Sequence, residues 1–307
     1  MVASFCTDDR FWHSVVTFLG EVLTPTLGVD LMSDPKFGSH GSPLPFVLLS
    51  TAAGPMILNR LDQHALDADS GFGVAWELLN HGSYAKDYGE FLQNILHTRR
   101  ECFGDGVIAV DCGAHIGMFA VHWARLMSEW GFVIGIEAQE RLFYALAGNL
   151  TLNNCFNAKA VWGVVGGYNG VARVPVPNYM VESSFASLEI QRRQHGQWIG
   201  QTISYNYEAT QPVQQLTIDA LKLERADLIK IDVEGMEVHA LSGAAETISR
   251  CAPIFFIDTS KADLPVVLDR LTSEGYQCHD LGNRLLAIHR DDPTLKVLGV
   301  KQEVSDL

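Results

Sequence analysis

Val110-Asp111-Cys112-Gly113-Ala114-His115-Ile116-Gly117 closes a short apolar run, Val107–Val110, and opens an apolar helix that continues through Met127. A strand, a glycine-bearing turn and a helix in that order form the opening unit of a doubly wound α/β sheet. Gly113 and Gly117 allow the backbone to approach a ligand closely and allow the helix to pack on the strand. Nicotinamide sites place G-x-G-x-x-G here and lay a pyrophosphate on the helix N-terminus. That triplet is absent, and an acid, Asp111, stands just ahead of the first glycine. An acid repels a pyrophosphate and suits a cationic moiety. Taken alone, the stretch reads equally well as an ordinary strand–turn–helix with two structural glycines.

Moving outward, Phe132–Ile136 is a second apolar run that ends in Glu137-Ala138, and Glu137 lies twenty residues beyond Gly117. An acid at that spacing accepts the two hydroxyls of a ribose. A lone acid there would read as a solvated loop residue, but beside Asp111 on the neighbouring strand end it points to a nucleoside. A phosphate-free, positively charged nucleoside is S-adenosyl-L-methionine, with Asp111, Gly113, Ala114, His115, Ile116, Gly117, Glu137 and Ala138 as its candidate contacts. Trp162, at the third strand, is a candidate neighbour of the adenine, against the plainer reading of a core tryptophan.

Further out, Leu228-Ile-Lys230-Ile-Asp232-Val-Glu234-Gly235-Met-Glu237 carries two acids at the carboxyl end of another strand. Open α/β sheets bind their ligands at that end. A lysine inside an apolar strand is costly unless paired, so Lys230 is expected to meet a carboxylate. Lys230, Asp232 and Glu234 are the candidate catalytic set: Asp232 or Glu234 as general base, with Lys230 fixing its rotamer. Glu237 reads as a helix cap. His122, His239, His279 and His289 read as packing or surface residues, and no His/Cys spacing fits zinc. A divalent ion on Asp232, Glu234 and Asp258 is the weaker reading, and no metal is expected.

The runs Val107–Val110, Phe132–Ile136, Lys159–Val165, Leu228–Ile231 and Ile254–Ile257 alternate with helices at 141–152, 236–249 and 264–274. That alternation predicts a mostly parallel sheet covered on both faces. Tyr276–Leu281 and Arg284–Arg290, joined by Gly282-Asn283, predict a closing antiparallel hairpin. The organisation expected is a lead-in at 1–104, a ligand-binding catalytic domain at 105–290 and a tail at 291–307. The lead-in carries a helix at 11–23, a linker at 28–45, a hairpin at 46–60 and helices at 72–79 and 88–98. Residues 166–215 break the alternation and read as a substrate loop over the sheet's active end.

The 307 residues are 47% hydrophobic and 19% charged, a composition able to build a large core. The formal charge of −14, from 36 acidic and 22 basic residues, argues against nucleic-acid and anionic-membrane partners. Six cysteines without paired spacing fit a reducing compartment, and Met1–Asp9 lacks a signal peptide, so a cytoplasmic chain is expected. The oligomeric state is not legible.

Taken together, VDCGAHIG (110–117), IEAQER (136–141), ALAGNLTLNNC (145–155), SSFASLE (183–189) and LIKIDVEGMEVHALSGA (228–244) resemble the FkbM-type methyltransferases. GPMILNRLDQ (54–63) and GSYAKDYGEFL (82–92) are similar to the lead-in of one bacterial branch. The resemblance implies a class I S-adenosylmethionine-dependent methyltransferase, most often acting on oxygen, with sugar, glycan or polyketide-like hydroxyls as acceptors. It adds Asn149 and Asn153 as polar support for the cofactor site. Two departures stand out: His115 occupies a position where Asn is common, and Asp258 one where Glu is usual, although Lys261 keeps the lysine that follows. The alternatives are an NAD-dependent oxidoreductase and a non-catalytic protein that keeps the fold for interaction.

Overall fold

The turn after the first core strand takes the left-handed backbone that its glycines permit, with φ +78° at Gly113 and +89° at Gly117. The computed structural model describes residues 44–65, 71–193 and 196–298, and the expected helix at 11–23 and nearly all of the linker at 28–45 lie outside them.

The chain first forms a hairpin, β1 (Phe46–Thr51) and β2 (Gly54–Asn59). Two short paired strands, β3 (His64–Ala65) and β4 (Gly71–Phe72), lead to α1 (Val74–His81) and α2 (Lys86–Phe103). Then come β5 (Val107–Cys112), α3 (Met118–Leu126), β6 (Gly131–Glu137), α4 (Glu140–Leu152) and β7 (Ala158–Trp162). A small sheet of β8 (Val164–Val165), β9 (Gly170–Pro175) and β10 (Thr210–Leu216) follows, in the order β8-β10-β9. The remainder is β11 (Leu228–Ile231), α5 (Glu237–Ser242), α6 (Ala245–Cys251), β12 (Ile254–Asp258), α7 (Leu264–Ser273), β13 (Tyr276–Asp280), β14 (Arg284–His289) and α8 (Thr294–Val297).

Seven strands make the main sheet, ordered β13-β14-β12-β11-β5-β6-β7. All neighbours from β12 to β7 are parallel, and β14 runs antiparallel to both β12 and β13. The chain winds outward from β5 to β7, then returns past β5 to β11, so the sheet changes direction between β5 and β11. A crevice opens there at the carboxyl ends of the strands. Alternation along β5 sends Val107 and Ala109 into one core layer and Val110 and Cys112 into the other. The hairpin and α2 share the first layer with β5 through Met56, Leu58, Leu92 and Ile95.

Three elements differ from the sequence pattern, two of them at a close approach. The run 159–165 breaks at Gly163, where a Cβ would lie 2.5 Å from the Leu216 side chain, so β8 leaves the main sheet and pairs with β10. The helix expected at 236–249 is two, because Gly243 packs against Gly166 and Asp219 accepts the N–H groups of Glu246 and Thr247, capping the second. Residues 166–215, read as a loop, hold β9 and most of β10, and 166–169 and 176–209 lie outside strands. No helix among the described residues is long and apolar enough to cross a membrane.

Candidate functional site

A cavity of about 360 Å³ opens at the carboxyl end of the sheet. Pockets for small ligands fall within about 300–1,000 Å³. Of the residues singled out in the sequence, Gly113, Ala114, His115, Glu137, Ala138, Lys230, Asp232 and Glu234 lie on its wall. Asp258, Lys261 and Arg284 join them from the next two strands, and Ser184 and Ser187 from the segment after β9.

The glycine turn is built by contact with the strand beside it. A Cβ on Gly113 would lie 1.9 Å from the carbonyl oxygen of Asp232, so no other residue fits. Glu137, at the tip of β6, is 5% exposed. Its Oε2 accepts the backbone N–H of His115 and its Oε1 that of Gln139, each at 2.8 Å. Burial pushes its carboxyl above the usual range, against the opposing pull of His115 and those two N–H groups.

His115 adopts φ +52°. Its Nε2 lies 2.9 Å from Asp62 Oδ2, a charge contact rather than an aligned hydrogen bond. Burial lowers the imidazole's affinity for a proton, and the Asp62 charge with that of Glu137 more than offsets it, so the pKa is raised. Asp62 also accepts the backbone N–H of Phe185 at 2.8 Å, which joins the hairpin, the glycine turn and the segment after β9 at one carboxylate.

Asp111, expected among the cofactor contacts, is placed behind the wall. It is fully buried and off the cavity wall, because strand register sets it directly beside Lys230 of β11 on the same face of the sheet. Lys230 Nζ lies 3.1 Å from Asp111 Oδ1 and 3.4 Å from Asp232 Oδ2, and donates to the Gly113 carbonyl at 3.3 Å. Burial disfavours the ammonium, but Asp111 and Asp232 together raise its pKa, so Lys230 stays charged. Lys230 therefore meets both carboxylates and stands between Asp111 and the cavity.

Two further acids on the wall each have a cation. Glu234 pairs with Lys261, and Asp258 pairs with Arg284 while accepting the N–H of Ser260. Burial, reinforced by the charge of Asp232, lifts Glu234 to about 7 although Lys261 opposes it. Tyr84, also on the wall, is pushed up by burial and by Asp232 and stays a protonated phenol. Among the described residues no three His, Cys, Asp or Glu side chains group closely enough to hold a metal ion.

Five predicted contacts lie elsewhere. Asn149 donates to the carbonyls of Ile57 at 3.0 Å and Ile116 at 2.8 Å, so it docks the hairpin on the turn from behind. Asn153 donates to the Pro55 carbonyl at 2.8 Å. Trp162 stacks on Phe143 and donates to the Ala138 carbonyl at 3.1 Å, supporting the wall without forming it. Ile116 is core, and Gly117 starts α3 against Leu146. Wall residues to which the sequence pattern gave no role include Tyr84, Gln139 and Arg284. Asp62, Tyr84, Ser184 and Ser187 do sit inside the stretches that resemble the family, whereas nothing local marks Arg284.

A sheet of this order, with a ligand-sized cavity at its switch point and a glycine turn in the wall, defines the class I methyltransferase architecture. Residues 111–278 match the methyltransferase FkbM domain, more than half of the chain, which belongs to that family. A Methylobacillus flagellatus FkbM methyltransferase is 19% identical over 70% of this chain and 53% of its own, with a TM-score of 0.42. The matched stretch thus spans about half of that protein's length. A precorrin-6y C5,15-methyltransferase from Geobacter metallireducens is 12% identical over 67% and 90% of the two chains, with a TM-score of 0.37. The Pyrococcus abyssi tRNA (uracil-54, C5)-methyltransferase, solved with S-adenosyl-L-homocysteine, is 8% identical over 80% and 44%, with a TM-score of 0.36. Among curated proteins none matches the chain.

Proposed function

We propose that the cavity binds S-adenosyl-L-methionine and that the protein methylates a hydroxyl of a sugar, glycan or polyketide-like small molecule. The observation that carries the cofactor half is Glu137. Each of its oxygens takes one backbone N–H and has further acceptor capacity, and the residue lines the cavity, a set of acceptors suited to the two hydroxyls of a ribose. Gly113 bares its backbone beside it, and Ala114, Met118, Phe119 and Ile136 supply an apolar wall. Glu137, on the wall without a lysine or arginine partner among the described residues, favours a cationic ligand over a phosphate-bearing one, a role expected of Asp111 from the sequence.

When bound, S-adenosylmethionine supplies an electrophilic methyl group. The chain's own part is orientation and proton removal, and orientation alone can supply about 7–11 kcal/mol. Glu234, lifted to about 7, is matched to take a proton from an attacking hydroxyl near neutral pH. Lys230 holds Asp232 in place beside it. The family's habit of acting on sugar and polyketide oxygen supports the acceptor class, and the −14 charge supports a small-molecule or glycan partner over nucleic acid.

Calorimetry with S-adenosylmethionine and with NAD tests the reading. Binding of the first alone is expected, with S-adenosylhomocysteine released on addition of an extract of small metabolites and glycans. Failure to bind S-adenosylmethionine would reject it.

A further inference from the structure

Two hollows of about 280 and 230 Å³ adjoin the cavity. The first shares Glu234 and Lys261 with the cavity, and the second shares Leu188 and Gln197. Arg192 and Arg193 line both, so the two arginines stand where the site opens outward.

Arg193 is held in position. Its Nη1 donates to the Lys261 carbonyl at 2.6 Å, and its side chain packs against Gly235, where a Cβ would lie 3.0 Å from Nη1. Gly235, at φ +95°, is therefore the residue that admits the arginine beside Glu234. One N–H donor of five is used in that contact, and a guanidinium presents the rest as a planar fork. Among the described residues neither arginine has an acidic partner.

The nearby acids are committed elsewhere. Glu234 pairs with Lys261, Glu189 lies 3.7 Å from the same ammonium, and Asp263 caps α7 at the Val266 N–H. Lys261 spends its remaining donor on the Ser187 carbonyl. In a chain of formal charge −14, two arginines with open donors at the mouth of the site run against the overall balance. A fork of N–H donors fixed beside a cavity is the arrangement that recognises an oxyanion bidentately.

We propose that Arg192 and Arg193 receive an anionic oxygen group of the acceptor, a phosphate or a carboxylate, so that the methylated compound is acidic. This rests on the methyltransferase reading of the adjoining cavity and deepens it. The anion docks outside Glu234, and the hydroxyl that reacts reaches inward past it.

The test titrates the S-adenosylmethionine-loaded protein with inorganic phosphate, glucuronate and neutral glucose, alongside Arg193→Ala, Arg193→Lys and the Arg192→Ala/Arg193→Ala double variant. Both arginines are exposed, so the variants should keep the melting temperature of the parent. Loss of a charged hydrogen-bond pair predicts a fall in anion affinity of about tenfold or more in Arg193→Ala, partly restored in Arg193→Lys. Glucose and S-adenosylmethionine affinities should not move. Phosphate binding without glucuronate supports a phosphorylated acceptor, and the reverse supports a carboxylated one. Anion binding that is undiminished in the double variant, or no anion binding in the parent, overturns the proposal. Arginine-dependent anion binding by a protein that ignores S-adenosylmethionine would leave the groove standing and remove the methyltransferase reading instead.

Discussion

The two ends of the main sheet both bury clusters of charge, and they are finished differently. At the amino end, Asp227 lies 3.1 Å from Arg99 Nε and 2.8 Å from Arg225 Nε, and accepts the Ile108 N–H at 2.9 Å. Arg99 also reaches Asp292, and Arg225 donates to the carbonyls of Phe103, Gly104 and Asp105. Every charge there is answered, and the cluster clamps α2 and the last turn to the strands. At the carboxyl end, Asp111 has Lys230 beside it yet no aligned hydrogen bond on either oxygen, and Lys230, Asp232, Asp258 and Arg284 border the cavity. A closed network is scaffold. An acid on the wall of a hollow without a lysine or arginine partner among the described residues, as Glu137 is, is what a ligand completes.

The largest effect should come from opening the closed end. Arg99→Met removes the shared cation of Asp227 and Asp292 and is expected to cost about 3–5 kcal/mol of stability by denaturant titration. Cofactor affinity of the folded fraction should stay at the parent value. If affinity falls with stability, the two ends are one coupled unit and the contrast is wrong.

At the open end, Glu234→Gln keeps the size of the side chain and removes the base. Turnover should fall by about 10²–10⁴-fold. In the parent, the rate should climb as pH rises through about 7, because Glu234 must lose its proton to work. A variant that keeps both the rate and the climb assigns the base elsewhere, with Asp232 next in line.

The fold was legible because its signals are local. Each core strand is a short all-apolar run, and the glycine turn declares its backbone in two residues, Gly113 and Gly117. Glu137, Lys230, Asp232 and Glu234 could be placed at the cavity because a strand's carboxyl tip is readable from the run before it. Asp111 lies off the wall because register sets it beside Lys230, and five strands separate the two in the chain, so no local signal shows that pairing. Asn149 and Asn153 carry the right chemistry for a site but spend it on the hairpin. Tyr84 and Arg284 come from a helix linker and from the closing hairpin, and only tertiary packing brings them in. The acceptor side is assembled from such distant pieces, which is why the nucleoside side was the more readable half.

Glu137→Ala sharpens that division of the cavity. It removes two charged acceptors on the nucleoside side, and S-adenosylmethionine affinity should drop about 10–100-fold by calorimetry. The phosphate and glucuronate affinities of the arginine groove should hold steady. Equal losses on both sides would show that the halves do not act separately.

The smallest effect belongs to the contact that joins the halves. His115 has a raised pKa in the folded protein, drawn up by Asp62 and Glu137 against burial, with Lys230 opposing and Asp111 also in range. A raised folded pKa means that the pair's contribution is full below the unfolded value of about 6.5 and is lost as pH rises through the folded value. Asp62→Asn keeps an oxygen for the Phe185 N–H and removes only the charge. Melting temperature measured from pH 5.5 to 9 should therefore decline more steeply in the parent than in Asp62→Asn above pH 6.5, the two curves drawing together at the alkaline end. Parallel curves across the range would mean that the imidazole is neutral throughout, and that Asp62 ties hairpin, turn and wall together through the Phe185 N–H alone.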